Sequence, residues 1–311
     1  MSLLEIKNLK VHYPIRGGFF NKVVDHVYAV DGVSMVIEQG KTYGLIGESG
    51  SGKSTIGKTI IGLEKATAGE ILYNGKNILD PKVRKEMKFN REVQMIFQDS
   101  MSSLNPKKRV LDILAEPIRN FEKLSKEEEK EKVYQLLEIV GMPQDSIYKY
   151  PHEFSGGQRQ RLGIARAIAC KPKLIIADEP VSALDLSVQA QVLNYLKNIQ
   201  RELNLSYIFI SHDLGVVRHM CDYIYIMHRG KFTETGTRED IYKDARHIYT
   251  KRLIASIPQI NPEAREELKQ RRENVEKEYE KLYSQFYDEN GKVYDLEKIS
   301  ETHSVASSTK I

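Results

Sequence analysis

Gly47-Glu48-Ser49-Gly50-Ser51-Gly52-Lys53-Ser54-Thr55 decides the fold of this 311-residue chain. It fits G-x-x-x-x-G-K-[ST], the pattern of a phosphate-binding loop. Thr42-Tyr43-Gly44-Leu45-Ile46, just before it, reads as a buried strand. Residues 56–63, just after it, read as a helix with apolar Ile56, Ile60, Ile61 and Leu63. Strand, glycine loop and helix are the context the motif needs. Gly47, Gly50 and Gly52 open backbone conformations that a Cβ forbids. Successive N–H groups, among them those of Ser49, Ser51 and Thr55, can then converge on phosphate oxygens before the positive helix end. Lys53 reaches the β- and γ-phosphates of a nucleotide as a point charge. Ser54 supplies a hard oxygen ligand for Mg²⁺.

Working outward, residues 4–11 alternate loosely as in a strand, Leu4, Ile6 and Leu9 against Glu5, Lys7 and Asn8, and Tyr13 and a Gly17-Gly18-Phe19-Phe20 loop follow. Residues 27–37 resume the alternation. This opening reads as antiparallel and beside the nucleotide. Tyr13 is a candidate to stack on adenine; Phe19, Phe20 and Tyr28 are alternatives, and plain packing stays open. Asn74-Gly75 marks a hairpin turn. Val93-Gln94-Met95-Ile96-Phe97 reads as a buried strand ending in Gln98. The pattern then turns helical, with a capping box at Ser125-Lys126-Glu127-Glu128 and an apolar face of Val133, Leu136, Leu137 and Val140. Residues about 99–155 are thus expected to be a helical insertion.

Ser155-Gly156-Gly157-Gln158 opens another helix, and Leu174-Ile175-Ile176-Ala177 reads as a parallel strand buried on both faces. It ends in Asp178-Glu179-Pro180. Tyr207-Ile208-Phe209-Ile210 is the next core strand, with Ser211-His212 at its end. A closing hairpin follows around Arg229-Gly230. Residues 263–282 are dense in Glu, Lys and Arg, with a thin stripe of Val275, Tyr279, Leu282 and Phe286, the mark of an exposed helix docked by one face. Residues 300–311 are Ser/Thr-rich and are expected to be disordered.

Composition narrows the class. Hydrophobic residues make 41% and charged residues 29%, as in a globular domain rather than a disordered chain. The net charge of +4 suits an acidic membrane surface or nucleic acid and is diagnostic of neither. Cys170 and Cys221 form no C-x-x-C, so no disulfide framework or zinc site is implied. The first nine residues do not read as a signal peptide, and no apolar run nears the ~18 residues of a membrane span.

In a parallel sheet the carboxyl ends of strands face the phosphate loop. Asp178, Glu179, His212 and Gln98 all follow strands, so they are expected around a γ-phosphate. Asp178 suits Mg²⁺, and Glu179 is placed to polarise an attacking water.

On these residues the chain resembles the nucleotide-binding subunit of ATP-binding cassette transporters. Gly47 to Thr55 looks like the Walker A motif and residues 174–179 like Walker B. Phe154 to Gln158 looks like the family signature, with Phe154 where Leu is commoner. Gln98 looks like the Q-loop glutamine, Ser182 to Asp185 like the D-loop, and His212 like the switch histidine. Tyr150-Pro151-His152-Glu153-Phe154 is similar to the oligopeptide/dipeptide importer branch. So is His247-Ile248-Tyr249-Thr250-Lys251-Arg252-Leu253, with Ile248 where Pro is usual. Many members of that branch carry an iron–sulfur cluster in this region; this chain has no cysteine after Cys221.

The resemblance implies an α/β P-loop NTPase with a parallel core sheet, an antiparallel N-terminal β subdomain, an inserted α-helical subdomain and a short helical C-terminal extension. The ATPase domain would span residues 1–255 and the extension 256–299. ATP and Mg²⁺ are the implied cofactors. Lys53, Glu179 and His212 are the implied catalytic residues, with Gln98 joining Ser54 and Asp178 at the metal. Ser155, Gly156, Gly157 and Gln158 would bind the nucleotide of a second, non-identical cassette. The remaining implied partners are two membrane permeases and, indirectly, an extracellular peptide-binding protein, with this chain on the cytoplasmic face. Two alternatives remain: an importer cassette for another solute, such as nickel or a sugar, and a nucleic-acid clamp. About a hundred residues separate Walker A from the signature, with no heptad run, which disfavours the clamp and any nucleic-acid partner.

Overall fold

The computed structural model describes residues 2–99, 103–257 and 265–308. In chain order the elements begin β1 (Ser2–Gly17), β2 (Lys22–Glu38), β3 (Thr42–Ile46), α1 (Lys53–Ile61), β4 (Ala68–Tyr73), β5 (Lys76–Asn77), α2 (Pro81–Glu86), α3 (Phe89–Glu92) and β6 (Val93–Ile96). There follow α4 (Val110–Phe121), α5 (Lys126–Ile139), α6 (Gly156–Ile168), β7 (Leu174–Asp178), α7 (Leu186–Leu203), β8 (Ser206–Ser211) and α8 (Leu214–Met220). The chain closes with β9 (Tyr223–His228), β10 (Lys231–Thr237), α9 (Arg238–Lys243), α10 (Ile248–Ala255), α11 (Arg265–Phe286), β11 (Leu296–Lys298) and β12 (Ser304–Ala306). Two compact units form: the first is mainly Asp80–Ile208, and the second is Leu3–Ile37, Thr42–Leu79 and the chain from Phe209 on. No helix of the described residues is long and apolar enough to cross a membrane.

The first unit pairs β6 with β7 in parallel, from Val93↔Leu174 to Ile96↔Ala177. All five residues of β7 are buried, which is why that stretch reads as a continuous apolar run. Between these strands the chain is helical, and α4, α5 and α6 pack pairwise. The Ser125 hydroxyl accepts from the Glu128 N–H and the Glu128 carboxylate from the Ser125 N–H, so the capping box forms. Val133, Leu136 and Leu137 turn inward.

In the second unit, four antiparallel strands lie in the order β2-β1-β4-β5. β1 pairs with β4 from Leu4↔Tyr73 to Lys7↔Glu70, slips, and resumes at Lys10↔Ala68. The slip falls at Asn8, whose φ is 47°. That extra residue turns Leu9 and Val11 to the face of Leu4 and Ile6, and all four are buried. A further set of strands runs β11-β12-β10-β9-β3. Here β3 is parallel to β9, from Tyr43↔Tyr223 to Ile46↔Ile226.

The C-terminal extension has its own core of Ile248, Phe286, Tyr287, Val293, Val305 and Ala306, with Tyr279, Leu282, Tyr283 and Leu296 packed against it. The stripe on α11 does face inward, joined by Tyr283 and Tyr287. The expected disorder of the Ser/Thr-rich end is corrected over 304–306. There β12 pairs with β10 (Glu234↔Val305) and with β11 (Glu297↔Val305). Val305 and Ala306 are buried, and ladder bonds plus that burial outweigh a polar composition. Residues 309–311 lie outside the described residues.

Three histidines in this layer give it a pH signature. Burial pushes the His228 pKa down to about 4, helped by Arg229 and Arg252. Burial and then His228 push that of His247 down to about 3. Burial also opposes charge on His303, but the Glu234 carboxylate, 2.7 Å away, outweighs it and raises that pKa. His303 therefore stabilises the fold below its unfolded pKa of about 6.5 and stops doing so as pH rises through its folded value. His228 and His247 act oppositely: their contribution is full above about pH 6.5 and is lost as pH falls. Between pH 6.5 and 4 the unfolded chain thus binds more protons at these sites, and the fold weakens. We expect the urea midpoint to fall less steeply over this range in His247→Gln than in wild type. Equal slopes would contradict the buried neutral imidazole.

Candidate nucleotide site

In the second unit, β3 delivers its chain into the loop 47–52 and α1 begins at Lys53. A Cβ on Gly47 would lie 2.1 Å from the Met227 carbonyl oxygen. One on Gly52 would lie 2.0 Å from that of Ala29, at φ 108°. Only glycine fits either position. The loop is further tied down where the Gly230 N–H donates to the Ser51 carbonyl at 3.1 Å. Lys53 is buried, and its ammonium donates to the carbonyls of Gly47 and Glu48, each at 2.7 Å, and to Ser51 Oγ at 3.3 Å. Gly50 and Ser49 lie on the exposed side of the loop; Ser54 and Thr55 are half-buried in the first turn of α1.

Of the aromatic candidates, Tyr13 is the one whose hydroxyl interacts with the loop's end. Glu64 and Thr55 lie near it, and burial followed by Glu64 raises its pKa. Tyr28 instead packs edge-on against His12, with centroids 4.7 Å apart, and lies under Lys292. Phe19 and Phe20 are exposed and pack on each other. His212 follows β8 and is exposed. Its neighbour Asp213 caps α8, accepting from the Gly215 N–H at 2.7 Å.

In the first unit, Asp178 closes β7 and is buried. Glu179 follows it at φ 45°, a left-handed backbone that costs a β-carbon residue about 1–2 kcal/mol. Gln98 Nε2 donates to Glu179 Oε2 at 2.9 Å, so two predicted site residues meet. The Ser182 N–H and hydroxyl both donate to the Glu179 carbonyl, at 3.3 and 3.1 Å. This locks the turn that aims the carboxylate. The signature is a helix N-terminus. Ser155 Oγ accepts from the Gln158 N–H at 3.3 Å, and Gln158 Oε1 accepts from the Ser155 N–H at 3.0 Å. A Cβ on Gly157 would sit 2.5 Å from Val188 Cγ1. Gly156 is half-buried, Ser155 is exposed, and Phe154 is buried, so its departure from Leu keeps an apolar anchor. Ser54, Gln98 and Asp178 are all hard oxygen donors, the chemistry Mg²⁺ takes.

Sequence reasoning missed one contact of the loop. The Glu48 N–H donates to the hydroxyl of Tyr249, 201 residues away, at 3.0 Å. Nothing in local pattern or spacing signals such a pairing.

Comparison with known proteins agrees with this geometry. The ABC transporter family matches residues 30–182, and the oligopeptide/dipeptide transporter C-terminal region matches residues 233–294. The oligopeptide transport ATP-binding protein OppF of Lactococcus lactis is 57% identical over 97% of this chain and 95% of its own length. The dipeptide transport ATP-binding protein DppF of Escherichia coli is 46% identical, over 85% of this chain and 79% of its own. Among solved structures, cbiO1 from Clostridium perfringens, part of the ABC transporter complex cbiONQ, aligns with a TM-score of 0.68 at 27% identity. That alignment covers 78% of this chain and 91% of the other. The ATP-binding cassette MJ0796, in a dimeric post-hydrolysis state bound to ADP and Pi, aligns at 0.67 and 27% identity, over 76% and 98%. A phosphate loop between β3 and α1, an acidic pair after β7 and relatives of this identity and coverage lead to one conclusion: this chain is an ATPase of the ABC transporter family, in the branch that carries the oligopeptide/dipeptide transporter C-terminal region.

Proposed function

We propose that this chain hydrolyses ATP to power import of oligopeptides or dipeptides through two membrane permeases. One observation carries the peptide assignment. The likeness to peptide-transport ATP-binding proteins covers 97% of the chain, C-terminal region included, rather than stopping at the cassette. No helix of the described residues is long and apolar enough to cross a membrane, and this cassette works at a membrane by docking on the cytoplasmic face of its permeases. The helices after Gln98 are the proposed docking part. A related but different cassette chain is the proposed partner, and an extracellular peptide-binding protein delivers the substrate.

Lys53 and the amides of Gly47 and of residues 49–55 hold the ATP phosphates, and Tyr13 carries the adenine. Mg²⁺, held through Ser54, Gln98 and Asp178, would neutralise charge on the β- and γ-phosphates. Glu179 acts as general base on the attacking water, and His212 positions that water. The amides of Ser155, Gly156 and Gly157, with the dipole of α6 behind them, bind the γ-phosphate of the partner cassette's nucleotide. In this reading ATP closes the two cassettes together, and hydrolysis reopens them to reset the permeases.

Three measurements test these roles in the complex reconstituted with permeases, partner cassette and peptide-binding protein. Glu179→Gln keeps the side chain's shape without its basicity. Turnover should fall by more than about 100-fold while ATP binding persists, and turnover near wild type would remove Glu179 as the base. Ser155→Arg places bulk and positive charge in the signature. ATP should leave the partner's site and stay at this chain's Lys53; loss from the Lys53 site alone would sink the trans arrangement. Peptide uptake should require both ATP and Lys53, and uptake unaffected by Lys53→Ala would overturn the transport assignment.

A further inference from the structure

The Gly47–Glu48 peptide is gripped on both sides. A trans peptide points its C=O and N–H in opposite directions. The Gly47 carbonyl accepts from Lys53 Nζ at 2.7 Å, and the Glu48 N–H donates to Tyr249 Oη at 3.0 Å. Tyr249 lies in α10, in the C-terminal region, and is fully buried. Its ring stacks on His228, centroids 4.1 Å apart at 14°. His228 Nδ1 lies 2.9 Å from Tyr287 Oη. Tyr287 in turn stacks on Tyr283 at 4.5 Å, and Tyr283 Oη accepts from Arg229 at 2.9 Å. The same strand, β9, walls the loop through Met227, whose carbonyl oxygen excludes a Cβ at Gly47.

We propose that Tyr249 is a positioning residue for ATP binding: its hydroxyl fixes the peptide plane that holds Lys53, and so couples the C-terminal extension to the phosphate loop. The proposal rests on the reading that Lys53 binds the ATP phosphates. Without the hydroxyl, the Glu48 N–H loses its partner inside the protein, and the peptide can rotate to find another. Rotation withdraws the Gly47 carbonyl from the ammonium and spreads Lys53 over several positions. Ground-state and transition-state ATP both need the ordered lysine, so the loss falls on binding and spares the chemical step. Burial raises the pKa of Tyr249 and holds its hydroxyl protonated, so the contact persists across the physiological range.

The test is Tyr249→Phe, which deletes one oxygen and keeps the stacked ring. Equilibrium binding of Mg²⁺-ATP to the full chain should weaken by about tenfold, and in the reconstituted complex KM should rise by about the same factor with kcat within about twofold. Tyr287→Phe, whose hydroxyl reaches Tyr249 through His228, should weaken binding by about threefold. A purely structural tyrosine would lower the melting temperature and leave ATP affinity unchanged well below it. ATP affinity within twofold of wild type in folded Tyr249→Phe overturns the proposal; should that variant not fold, unchanged affinity in Tyr287→Phe overturns it. Lys53→Ala separates the two levels. If it abolishes ATP binding while Tyr249→Phe has no effect, the coupling alone is wrong. If Lys53→Ala binds ATP normally, the reading of the loop itself is wrong.

Discussion

A lysine ammonium held 2.7 Å from two backbone carbonyls of its own loop is the constraint on which the second unit depends. A buried cation of this kind is tolerated only where donors and acceptors are matched. The Gly47 and Glu48 carbonyls supply the match, and they can do so only in one backbone course. That course requires glycine at 47 and 52, because Met227 of β9 and Ala29 in the middle of β2 pass too close for a Cβ. It also requires a rigid wall, which the parallel pairing of β3 with β9 provides. The loop that carries the function is thus shaped by strands far from it in sequence.

The first unit solves a different problem by similar means. Glu179 sits in a left-handed conformation that few side-chain-bearing residues adopt, and the Ser182 backbone and hydroxyl hold it there. Strain at such a position is tolerated when the surroundings over-determine it. The result is a carboxylate held in one place and bonded to the Gln98 amide, which follows β6. The signature carries a capping box whose side chains satisfy helix-end amides, and Gly156 and Gly157 beside it are half-buried against Leu184 and Val188.

Much of this was legible in the sequence because it is local. The phosphate loop, the Ser125 and Ser155 caps, the Asn74-Gly75 and Arg229-Gly230 turns and the apolar run of β7 are all fixed by neighbours within a few positions. The bulge at Asn8 left only a trace: the apolar positions pass from Leu4 and Ile6 to Leu9 and Val11, a break in period whose cause shows once the partner strand is known. At the C-terminal end Val305 and Ala306 are two apolar residues in a Ser/Thr-rich run, too few to announce a strand until the edge of β10 offers them a ladder. Ile248, at the position where the resemblance implied proline, is buried in the core of the extension. The Tyr249 contact spans 201 residues and depends on a stacked histidine, so no pattern could announce it.

The most direct test of the clamped peptide is amide hydrogen exchange at Glu48, read site by site in the full-length chain. Tyr249 Oη accepts this N–H in the wild type, so its exchange should be slow, and Tyr249→Phe should speed it by at least about tenfold. Exchange of the wild-type Glu48 amide at the rate of an open loop, unchanged by the substitution, would contradict the clamp.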